Sequence, residues 1–239
     1  MPEAPVDVEV VIPVYNEERA LPASVATLRA YLSQHLPYAW RITIANNAST
    51  DCTLDVAKEL ATSSPGVGYV HLDQKGRGRA LRAAWERSDA RVLCYTDVDL
   101  SADVGHLAEL VGLVAEGRAD IAIGTRLHRQ SQTNRSGRRE IISRGYNLIV
   151  KLMFGTRFSD AQCGFKAISH EAARVLLPLV EDQGWFFDSE LLIIAEKRGY
   201  RIGEVPVVWR EDPDSRVKIV STAWGDLKGL FRVRRSHPW

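Results

Sequence analysis

The sequence predicts an α/β fold with a mainly parallel sheet and helices on both faces. Short apolar runs rich in β-branched residues alternate with stretches of helical period through the first half of the chain. This alternation is typical of parallel sheets, because each crossover places a helix on one face. The 239 residues suffice for one large domain or two small ones. Ligands of such sheets bind where the strands end.

The elements of the first half follow one another without interruption. The predicted strands cover residues 8–13, 41–45, 67–72, 91–97 and 120–124. An apolar stripe predicts the first of the helices between them, and its residues are Leu21, Val25, Leu28 and Leu32. The other helices are predicted at 49–61, 76–88 and 104–116. A Ser, Thr or Asp is expected to cap the second of these helices.

The pattern becomes less regular after residue 125. A polar basic loop at 128–138 precedes helices at 139–154 and 187–198, a strand at 202–208 and a basic amphipathic segment at 216–239. We find no internal repeat and no low-complexity segment. One main domain over residues 1–215, followed by that C-terminal segment, is therefore expected.

Basic residues are concentrated in two regions, although the net charge is only +1. Residues 126–157 hold eight Lys or Arg against Glu140 alone, and residues 217–239 hold five against Asp226 alone, which gives +7 and +4. The other 18 basic and 28 acidic residues carry −10. Such regions suit phosphates, nucleic acid or an anionic membrane. Nucleic acid is not expected as a partner, because residues 126–138 interleave no aromatic side chain with the basic ones.

Three widely spaced cysteines (Cys52, Cys94, Cys163) form no CxxC pair, which favours a reducing compartment over a zinc site or a disulfide scaffold. The first residues lack the basic leader and apolar core of a signal peptide. No apolar run approaches the roughly 20 residues that cross a bilayer. We expect a cytoplasmic protein that makes peripheral contact with the cytosolic face of a membrane.

The segment CYTDVDLSAD (94–103) places Asp97 and Asp99 at the end of the fourth predicted strand. Alternate residues of an extended chain point the same way, so both carboxylates are expected to face one point. A hard divalent cation, Mg²⁺ or Mn²⁺, would relieve their repulsion and prefers oxygen ligands. Magnesium often completes its coordination with substrate phosphates, so the pair predicts a metal-bound diphosphate. Aspartates also commonly end strands and begin turns, and that interpretation stays open.

The segment QKGRGRALRAAW (74–85) places Gly76 and Gly78 at the start of the third helix. Glycines at this position let the backbone approach a phosphate, and a helix N-terminus attracts anions. The segment is neither a P-loop nor a GxGxxG motif, so a plain turn that begins a helix is the more common explanation.

Nine segments, taken in order, resemble family 2 glycosyltransferases. Five are general to the family: VVIPVYNEE (10–18), NNASTDCT (46–53), KGRGRALRAAW (75–85), DVDL (97–100) and GTR (124–126). Four are similar to the polyprenyl-phosphate sugar synthases, especially the dolichyl-phosphate glucosyltransferase branch: SRGYN (143–147), DAQCGFKA (160–167), WFFDSELL (185–192) and IGEVPVVW (202–209). The resemblance extends over about residues 8–233.

The resemblance implies a Rossmann-like type A glycosyltransferase fold that binds a nucleotide sugar through a divalent metal. Asp97 matches the aspartate near the ribose and diphosphate, and Asp99 matches the direct metal ligand. Arg126, Arg139 and Ser143 match residues that hold the acceptor phosphate or the donor diphosphate. The positions matching the family's donor-binding loops are Pro13, Tyr15, Asn16, Glu17, Asn46 and Asp51, with Gly76 and Gly78 as further candidates.

Two positions depart from the family pattern. Asn46 stands where many relatives carry an aspartate that accepts a hydrogen bond from the base, and an amide oxygen can still accept that bond. Ser101 stands where mannosyl relatives often have Gln as a further metal ligand. CGFK in place of SGFR favours the glucosyl branch, so UDP-glucose is the expected donor and GDP-mannose the alternative.

The expected reaction is inverting transfer of a hexose to polyprenyl or dolichyl phosphate. Such an acceptor is already anionic, so it needs orientation more than deprotonation. The metal and arginines would stabilise the departing diphosphate. If the acceptor is instead a hydroxyl of a polysaccharide or soluble molecule, a base is needed and Asp188 is the candidate. Asp188 fits a helix N-cap equally well, and the six histidines are taken as surface or incidental residues.

Two stretches have an apolar stripe flanked by basic residues. The stripes are Ile142, Tyr146, Ile149 and Met153 in one stretch, and Val220, Trp224, Leu227 and Phe231 in the other. Both fit helices that lie in a membrane interface, and both fit helices that pack into the core.

Two other functions are less consistent with the sequence. A nucleotidyltransferase would show a Gly-rich Arg-Lys loop after the first strand, and none occurs there. A non-catalytic basic module would have no need of Asp99 or of the loop motifs around it.

Overall fold

The computed structural model describes residues 6–134, 136–210 and 219–239, and within the last range it describes side chains from residue 222 onward. The strands are β1 (Val8–Val14), β2 (Trp40–Asn47), β3 (Val67–Leu72), β4 (Val92–Thr96), β5 (Ile121–Thr125), β6 (Gln132–Asn134), β7 (Phe165–Ser169), β8 (Ile202–Pro206) and β9 (Val208–Arg210). The helices are α1 (Leu21–His35), α2 (Thr53–Ser63), α3 (Arg77–Trp85), α4 (Leu107–Ala115), α5 (Gly137–Phe154), α6 (His170–Leu176), α7 (Phe187–Lys197) and α8 (Ile219–Ser236).

Seven strands form the central sheet in the order β3-β2-β1-β4-β7-β5-β8. The pairs β1–β2, β1–β4, β2–β3 and β5–β8 are parallel, whereas β7 is antiparallel to both β4 and β5. The parallel strands therefore end at one edge of the sheet, which we call the carboxyl edge. β6 and β9 form a separate parallel pair.

Two apolar cores lie on opposite faces of the sheet, because alternate strand residues point to opposite sides. Residues of α1, α2 and α4 pack with Val10 and Ile12 of β1 on one face. Residues of α3, α5, α6, α7 and α8 pack with Val11 of the same strand on the other face. The expected mainly parallel sheet with helices on both faces is confirmed.

The structure differs from the predicted elements mainly after residue 125. β7 and α6 were not predicted, the loop at 128–138 contains β6, and the strand predicted at 202–208 is interrupted at Val207. The second residue of β7 is a buried lysine, Lys166, and this charged residue lowers the hydropathy by which a buried strand is recognised in the sequence. The predicted boundary at 215/216 lies outside the described residues.

The two predicted amphipathic helices are divided between core and solvent. Tyr146 of α5 is buried, whereas Ile141 (73% exposed), Leu148 and Leu152 (78%) of the same helix face outward. The predicted α5 stripe therefore mixes core and exposed positions, and the most exposed apolar residues lie beside it. In α8, Leu230 and Val233 are buried, while Trp224 and Phe231 of the predicted stripe are exposed. Leu227 is partly buried against the core, and the side chain of Val220 lies outside the described residues.

Asp226 is a buried carboxylate by which α8 contacts the main domain. Its Oδ2 accepts a hydrogen bond of 2.7 Å from Nε2 of Gln162. Burial, and then the negative charges of Asp182 and Asp188, raise the pKa of Asp226 to about 7, although the bond from Gln162 opposes the shift. The folded protein therefore retains a proton on Asp226 at pH values where the unfolded chain has lost it.

We expect Asp226 to make stability dependent on pH. Because its pKa is raised by folding, its effect on the free energy of unfolding becomes less favourable as the pH rises from about 4 to about 7, and then stays constant. Asp226→Asn should therefore stabilise the protein more at pH 8 than at pH 4.5, by about 1–3 kcal/mol. Urea unfolding of both proteins at both pH values measures this. The exposed Glu171→Gln is the control, and an equal effect of Asp226→Asn at the two pH values would contradict the prediction.

Candidate functional site

The loops that follow β1 and β2 are joined at the carboxyl edge. Oδ1 of Asn16 accepts a hydrogen bond of 2.7 Å from the N–H of Thr50, and the N–H of Asn16 donates to Oγ of Ser49 at 3.0 Å. The N–H of Glu17 donates to Oγ1 of Thr53 at 2.8 Å. Asn16 adopts a left-handed backbone (φ 56°), which these bonds stabilise. The predicted residues Asn16 and Glu17 thus hold the two loops together, and Pro13 lies in β1 just before them.

Asp51 lies in the second of these loops and stabilises the start of α2. Its Oδ1 accepts hydrogen bonds from the N–H (3.0 Å) and Oγ1 (2.5 Å) of Thr53. The N-cap position itself is Cys52, so Asp51 acts from one residue before it. A polar side chain therefore caps this helix as expected, and it belongs to Asp51, the residue before the N-cap position.

Tyr15 and Asn46 lie at the ends of β1 and β2. The ammonium group of Lys75 lies 4.0 Å from the ring centroid of Tyr15 and donates to its hydroxyl, and this bond lowers the pKa of Tyr15. Asn46 is fully buried, and its Nδ2 lies 2.8 Å from Nδ1 of His71 on β3. Oδ1 of Asn46 has no hydrogen-bond partner among the described residues. A buried acceptor of this kind fits an N–H of a ligand. Neither Lys75 nor His71 was predicted as a site residue.

Gly76 and Gly78 are required by close packing. A Cβ atom at Gly76 would lie 2.4 Å from the carbonyl oxygen of Gln183, and one at Gly78 would lie 2.5 Å from Cβ of Phe187. The N–H of Gly76 donates to Oδ1 of Asn47 at 2.7 Å, and that of Gly78 to the carbonyl of Gly184 at 3.1 Å. Both N–H groups are therefore used within the protein, as the plain-turn interpretation anticipates, and the two glycines bring α3 close to α7.

Asp97 and Asp99 follow β4 in a turn at the carboxyl edge. β4 ends at Thr96, and the N–H of Leu100 donates to the carbonyl of Asp97 at 3.1 Å. The premise that both aspartates extend a strand is therefore wrong, although both do lie at the predicted edge. Oδ1 of Asp99 accepts from the N–H of Ser101 at 3.0 Å, so Ser101 contacts this aspartate through its backbone.

Asp97 and Asp99 are candidate ligands for a divalent cation, but the described residues do not include a complete set of metal ligands. No group of three or more His, Cys, Asp or Glu side chains suited to a metal occurs in the described parts of the chain. Asp97 and Asp99 would thus provide only part of the coordination. Mg²⁺ and Mn²⁺ accept such a site when water and phosphate oxygens complete it.

Arg77 bridges two carboxylates that lie 91 residues apart in the sequence. Its Nη2 donates to Oδ1 of Asp97 at 2.9 Å, and its Nη1 donates to Oδ2 of Asp188 at 2.5 Å. The other oxygen of Asp188 accepts from the hydroxyl of Tyr95 at 2.5 Å and lies 3.3 Å from Nζ of Lys166. Burial alone would raise the pKa of Asp188, but the charges of Lys166 and Arg77 keep it below its usual value.

This arrangement corrects the interpretation of Asp188. The N-cap of α7 is Phe186, and Asp188 lies inside the helix with its side chain buried, so the N-cap interpretation is wrong. Arg77, Tyr95 and Lys166 were not predicted as site residues. A lysine within an apolar segment and an arginine between two glycines are the signals that could have indicated Lys166 and Arg77.

Arg126 is fixed by a second buried carboxylate. Its Nε and Nη2 donate to Oδ2 (2.8 Å) and Oδ1 (2.9 Å) of Asp160, and its backbone N–H donates to the same Oδ2 at 3.1 Å. Burial alone would raise the pKa of Asp160, and Arg126 lowers it. The guanidinium carbon lies 4.9 Å from the ring centroid of Trp209. Arg126 is thus held in one orientation just after β5, and Asp160 is a further residue that the sequence analysis missed.

Arg139 and Ser143 lie one turn apart on α5. Oγ of Ser143 is buried and has no hydrogen-bond partner among the described residues, which fits an anionic ligand. Asn147, one turn further along, accepts from the N–H of Ala161 at 2.9 Å. Because Ala161 follows Asp160, this bond connects α5 to the segment that holds Arg126.

The chain is similar to known glycosyltransferases. The family model described as Glycosyl transferase family 2 matches residues 9–177. Glycosyltransferase AglD of Haloferax volcanii is 38% identical over 232 residues, which cover 96% of this chain and 37% of the relative. Dolichyl-phosphate beta-glucosyltransferase ALG5C of Trichomonas vaginalis is 31% identical over 87% of this chain and 65% of the relative. The chain thus spans between about a third and two thirds of the length of these relatives.

Solved structures of glucosyl-3-phosphoglycerate synthase from Mycobacterium tuberculosis share the fold. The complex with UDP matches with a TM-score of 0.74 and 18% identity, over 96% of this chain and 80% of that protein. The complex with Mn²⁺, UDP-glucose and phosphoglyceric acid matches with a TM-score of 0.70 and 17% identity, over 96% of this chain and 79% of that protein. The expected type A glycosyltransferase fold is confirmed.

Proposed function

Because the chain belongs to glycosyl transferase family 2, we propose that it transfers glucose from UDP-glucose to polyprenyl phosphate with inversion at the anomeric carbon. The chain is a glycosyltransferase related to dolichyl-phosphate glucosyltransferases. The name of the ALG5C relative supports glucose and a lipid phosphate. The Mn²⁺ and UDP-glucose bound by the mycobacterial synthase support the donor and the metal.

One observation carries the proposal: two carboxylates and two fixed arginines meet at the carboxyl edge. Asp97 and Asp99 would hold Mg²⁺ or Mn²⁺, which when bound would stabilise the negative charge of a departing diphosphate. Arg77 and Arg126 are already held by Asp188 and Asp160, so little side-chain entropy would be lost when they orient phosphate oxygens. This combination of charges suits a nucleoside diphosphate.

The acceptor end of the site is assigned to α5. Ser143 offers a buried hydroxyl without a partner in the described chain, and Arg139 offers a guanidinium on the same helical face. Both groups suit the phosphate of a lipid. Ile142, one turn from Arg139, and Ile149 on the same stripe are 37% and 39% exposed, and they offer an apolar surface against which an isoprenoid chain would rest. A lipid phosphate would use both the polar and the apolar groups of α5, whereas a soluble sugar hydroxyl would not use the apolar ones.

The direct test is an assay with labelled UDP-glucose, polyprenyl phosphate and Mg²⁺. We expect a lipid-linked glucose product, no product in EDTA, and recovery when Mn²⁺ or Mg²⁺ is restored, because a metal held by Asp97 and Asp99 would stabilise the charge of the departing diphosphate. GDP-mannose in excess should compete weakly. Efficient mannose transfer would reverse the donor assignment, and transfer only to a sugar hydroxyl would reject the lipid phosphate.

We expect Arg139→Lys to lose activity although the charge is kept. A guanidinium binds phosphate oxygens through two donors in a fixed geometry, which an ammonium group does not reproduce. Losing a charge-assisted hydrogen bond costs roughly 1.5–3 kcal/mol, which corresponds to about a ten- to hundredfold drop in kcat/KM for the lipid. The affinity for UDP should stay near that of the wild type.

The control for this variant is Arg138→Lys, the same change at the preceding, exposed residue. Equal kcat/KM values for polyprenyl phosphate in the two variants would remove Arg139 from the acceptor site. The comparison separates contact with the lipid phosphate from a general effect of replacing an arginine of α5 by lysine.

The outward faces of α5 and α8 support peripheral contact with a membrane. Trp224 and Phe231 of α8 are 62% and 67% exposed, and Lys228 and Arg235 lie on the same helix. None of the described helices is long and apolar enough to cross a bilayer. Exposed aromatic and basic residues together are typical of helices that lie in the interface of an anionic membrane.

Binding to anionic vesicles tests this surface. Replacing Trp224 and Phe231 by Ser should reduce co-sedimentation by about tenfold or more. Burying one large apolar side chain in the membrane contributes roughly 1.5–3 kcal/mol, and the double variant loses this contribution twice. Val175→Ser alters an apolar residue on α6 that is 46% exposed, and it is the control. Unchanged binding of the double variant would place the membrane contact elsewhere.

A further inference from the structure

Four charged residues form one buried cluster beneath the candidate diphosphate site. Arg77 and Lys166 supply two positive charges, and Asp97 and Asp188 supply two negative ones. Asp188 and Lys166 are almost fully buried, whereas Asp97 reaches the surface with 32% of its side chain exposed. The cluster thus leads from the core of the domain to the carboxyl edge.

Both oxygens of Asp188 are used inside this cluster. One accepts from Arg77, and the other accepts from Tyr95 and lies beside Lys166. A general base needs a carboxylate oxygen that reaches the acceptor's proton. An oxygen of Asp188 would have to break an ion pair or a buried hydrogen bond to do so, which is costly in a buried position.

Lys166 is the second cation beside Asp188. Its ammonium group also donates to the carbonyl of Cys163 and lies 3.2 Å from the hydroxyl of Tyr95. Asp188 is therefore shared between two cations, and Arg77 binds Asp97 as well.

The surroundings of Arg77 fix its guanidinium in place. The guanidinium carbon lies 4.8 Å from the ring centroid of Tyr95 and 5.3 Å from that of Trp185. Its Nε is buried and has no acceptor among the described residues. A buried donor without an acceptor is costly, and a phosphate oxygen would satisfy it.

We propose that Asp188 is a positioning residue, which holds Arg77 against Asp97 and the donor diphosphate, and that it does not act as a base toward the acceptor. This inference rests on the proposed nucleotide-sugar transfer, and it favours an anionic acceptor over a neutral one. With Asp188 committed to Arg77, the site suits an acceptor that arrives already ionised, as a phosphate does. A neutral hydroxyl would have to lose its proton to another group.

The experiment compares two buried carboxylates of the same helix. Asp188→Asn removes the anchor of Arg77, and Glu190→Gln removes the partner of Arg232, which Glu190 contacts at 2.9 Å. Affinity for UDP in Mn²⁺ is measured by titration calorimetry, and kcat is measured as a function of pH with polyprenyl phosphate. The two variants lose the same charge from similarly buried positions, so a general effect on stability should be common to both.

We expect Asp188→Asn to weaken UDP binding by about tenfold or more, because Arg77 loses the charge-assisted bond that orients it. The shape of the pH profile of kcat should stay unchanged, and Glu190→Gln should bind UDP as the wild type does. In an Arg77→Gln background, Asp188→Asn should add little further loss, since the two residues act through one bond.

Three outcomes would overturn the proposal. If Asp188→Asn keeps its UDP affinity but loses kcat together with the acidic limb of the pH profile, Asp188 is a base. If both carboxylate variants lose UDP affinity equally, the effect is structural. If the wild type binds no UDP in Mn²⁺, the proposed function itself fails, which is visible before any variant is compared.

A second variant covers the case in which Asp188→Asn does not fold. Arg77→Lys keeps the positive charge but is unable to reach both carboxylates with separate nitrogens. It should weaken UDP binding by a similar factor, about tenfold. Unchanged binding in Arg77→Lys would overturn the proposal on its own.

Discussion

The candidate site depends on the bridge that Arg77 forms between Asp97 and Asp188. A carboxylate buried as deeply as Asp188 is unfavourable unless cations and donors compensate it, and Arg77, Lys166 and Tyr95 do so together. The bridge requires α3 to lie close to α7. The absence of a side chain at Gly78 permits that approach, because a Cβ atom there would overlap Phe187. The glycine turn thus serves the site through packing.

The antiparallel strand β7 brings the second half of the chain to the same edge. Because β7 runs opposite to β4, its beginning lies beside the end of β4, and Phe165 pairs with Thr96. The residue before it, Gly164, contacts Asp97 so closely that a Cβ atom would lie 1.7 Å from Oδ2 of the carboxylate. In the same way, Asp160 meets Arg126 just after β5. A parallel strand at this position would have directed both residues to the opposite edge.

The helices α5 and α8 combine polar contacts on the inside with apolar residues on the outside. Tyr146 donates to Ser189 at 2.7 Å, and Arg232 binds Glu190 at 2.9 Å, so both helices are tied to α7, which also carries Asp188. Their outward residues include Leu152 and Trp224. The proposed lipid-facing surface and the proposed diphosphate site are therefore attached to one helix, which would fix the distance between the site and a membrane bound at that surface.

Sequence periodicity alone determined the parallel half of the sheet, and the ordered motifs placed Asp97, Asp99 and Arg126 at its carboxyl edge. Both inferences depend on local properties, namely the spacing of apolar residues and the position of loops after strands. The residues that these side chains contact could not be predicted from the sequence. Arg77 binds Asp188, which lies 111 residues away in the sequence, and the charge of buried Lys166 is compensated by the same Asp188. Such pairs have no signature in the local sequence, since the free energy of a buried charge depends on what the fold brings next to it. The sequence therefore determined where the site lies, and the tertiary structure decided which charges it holds together.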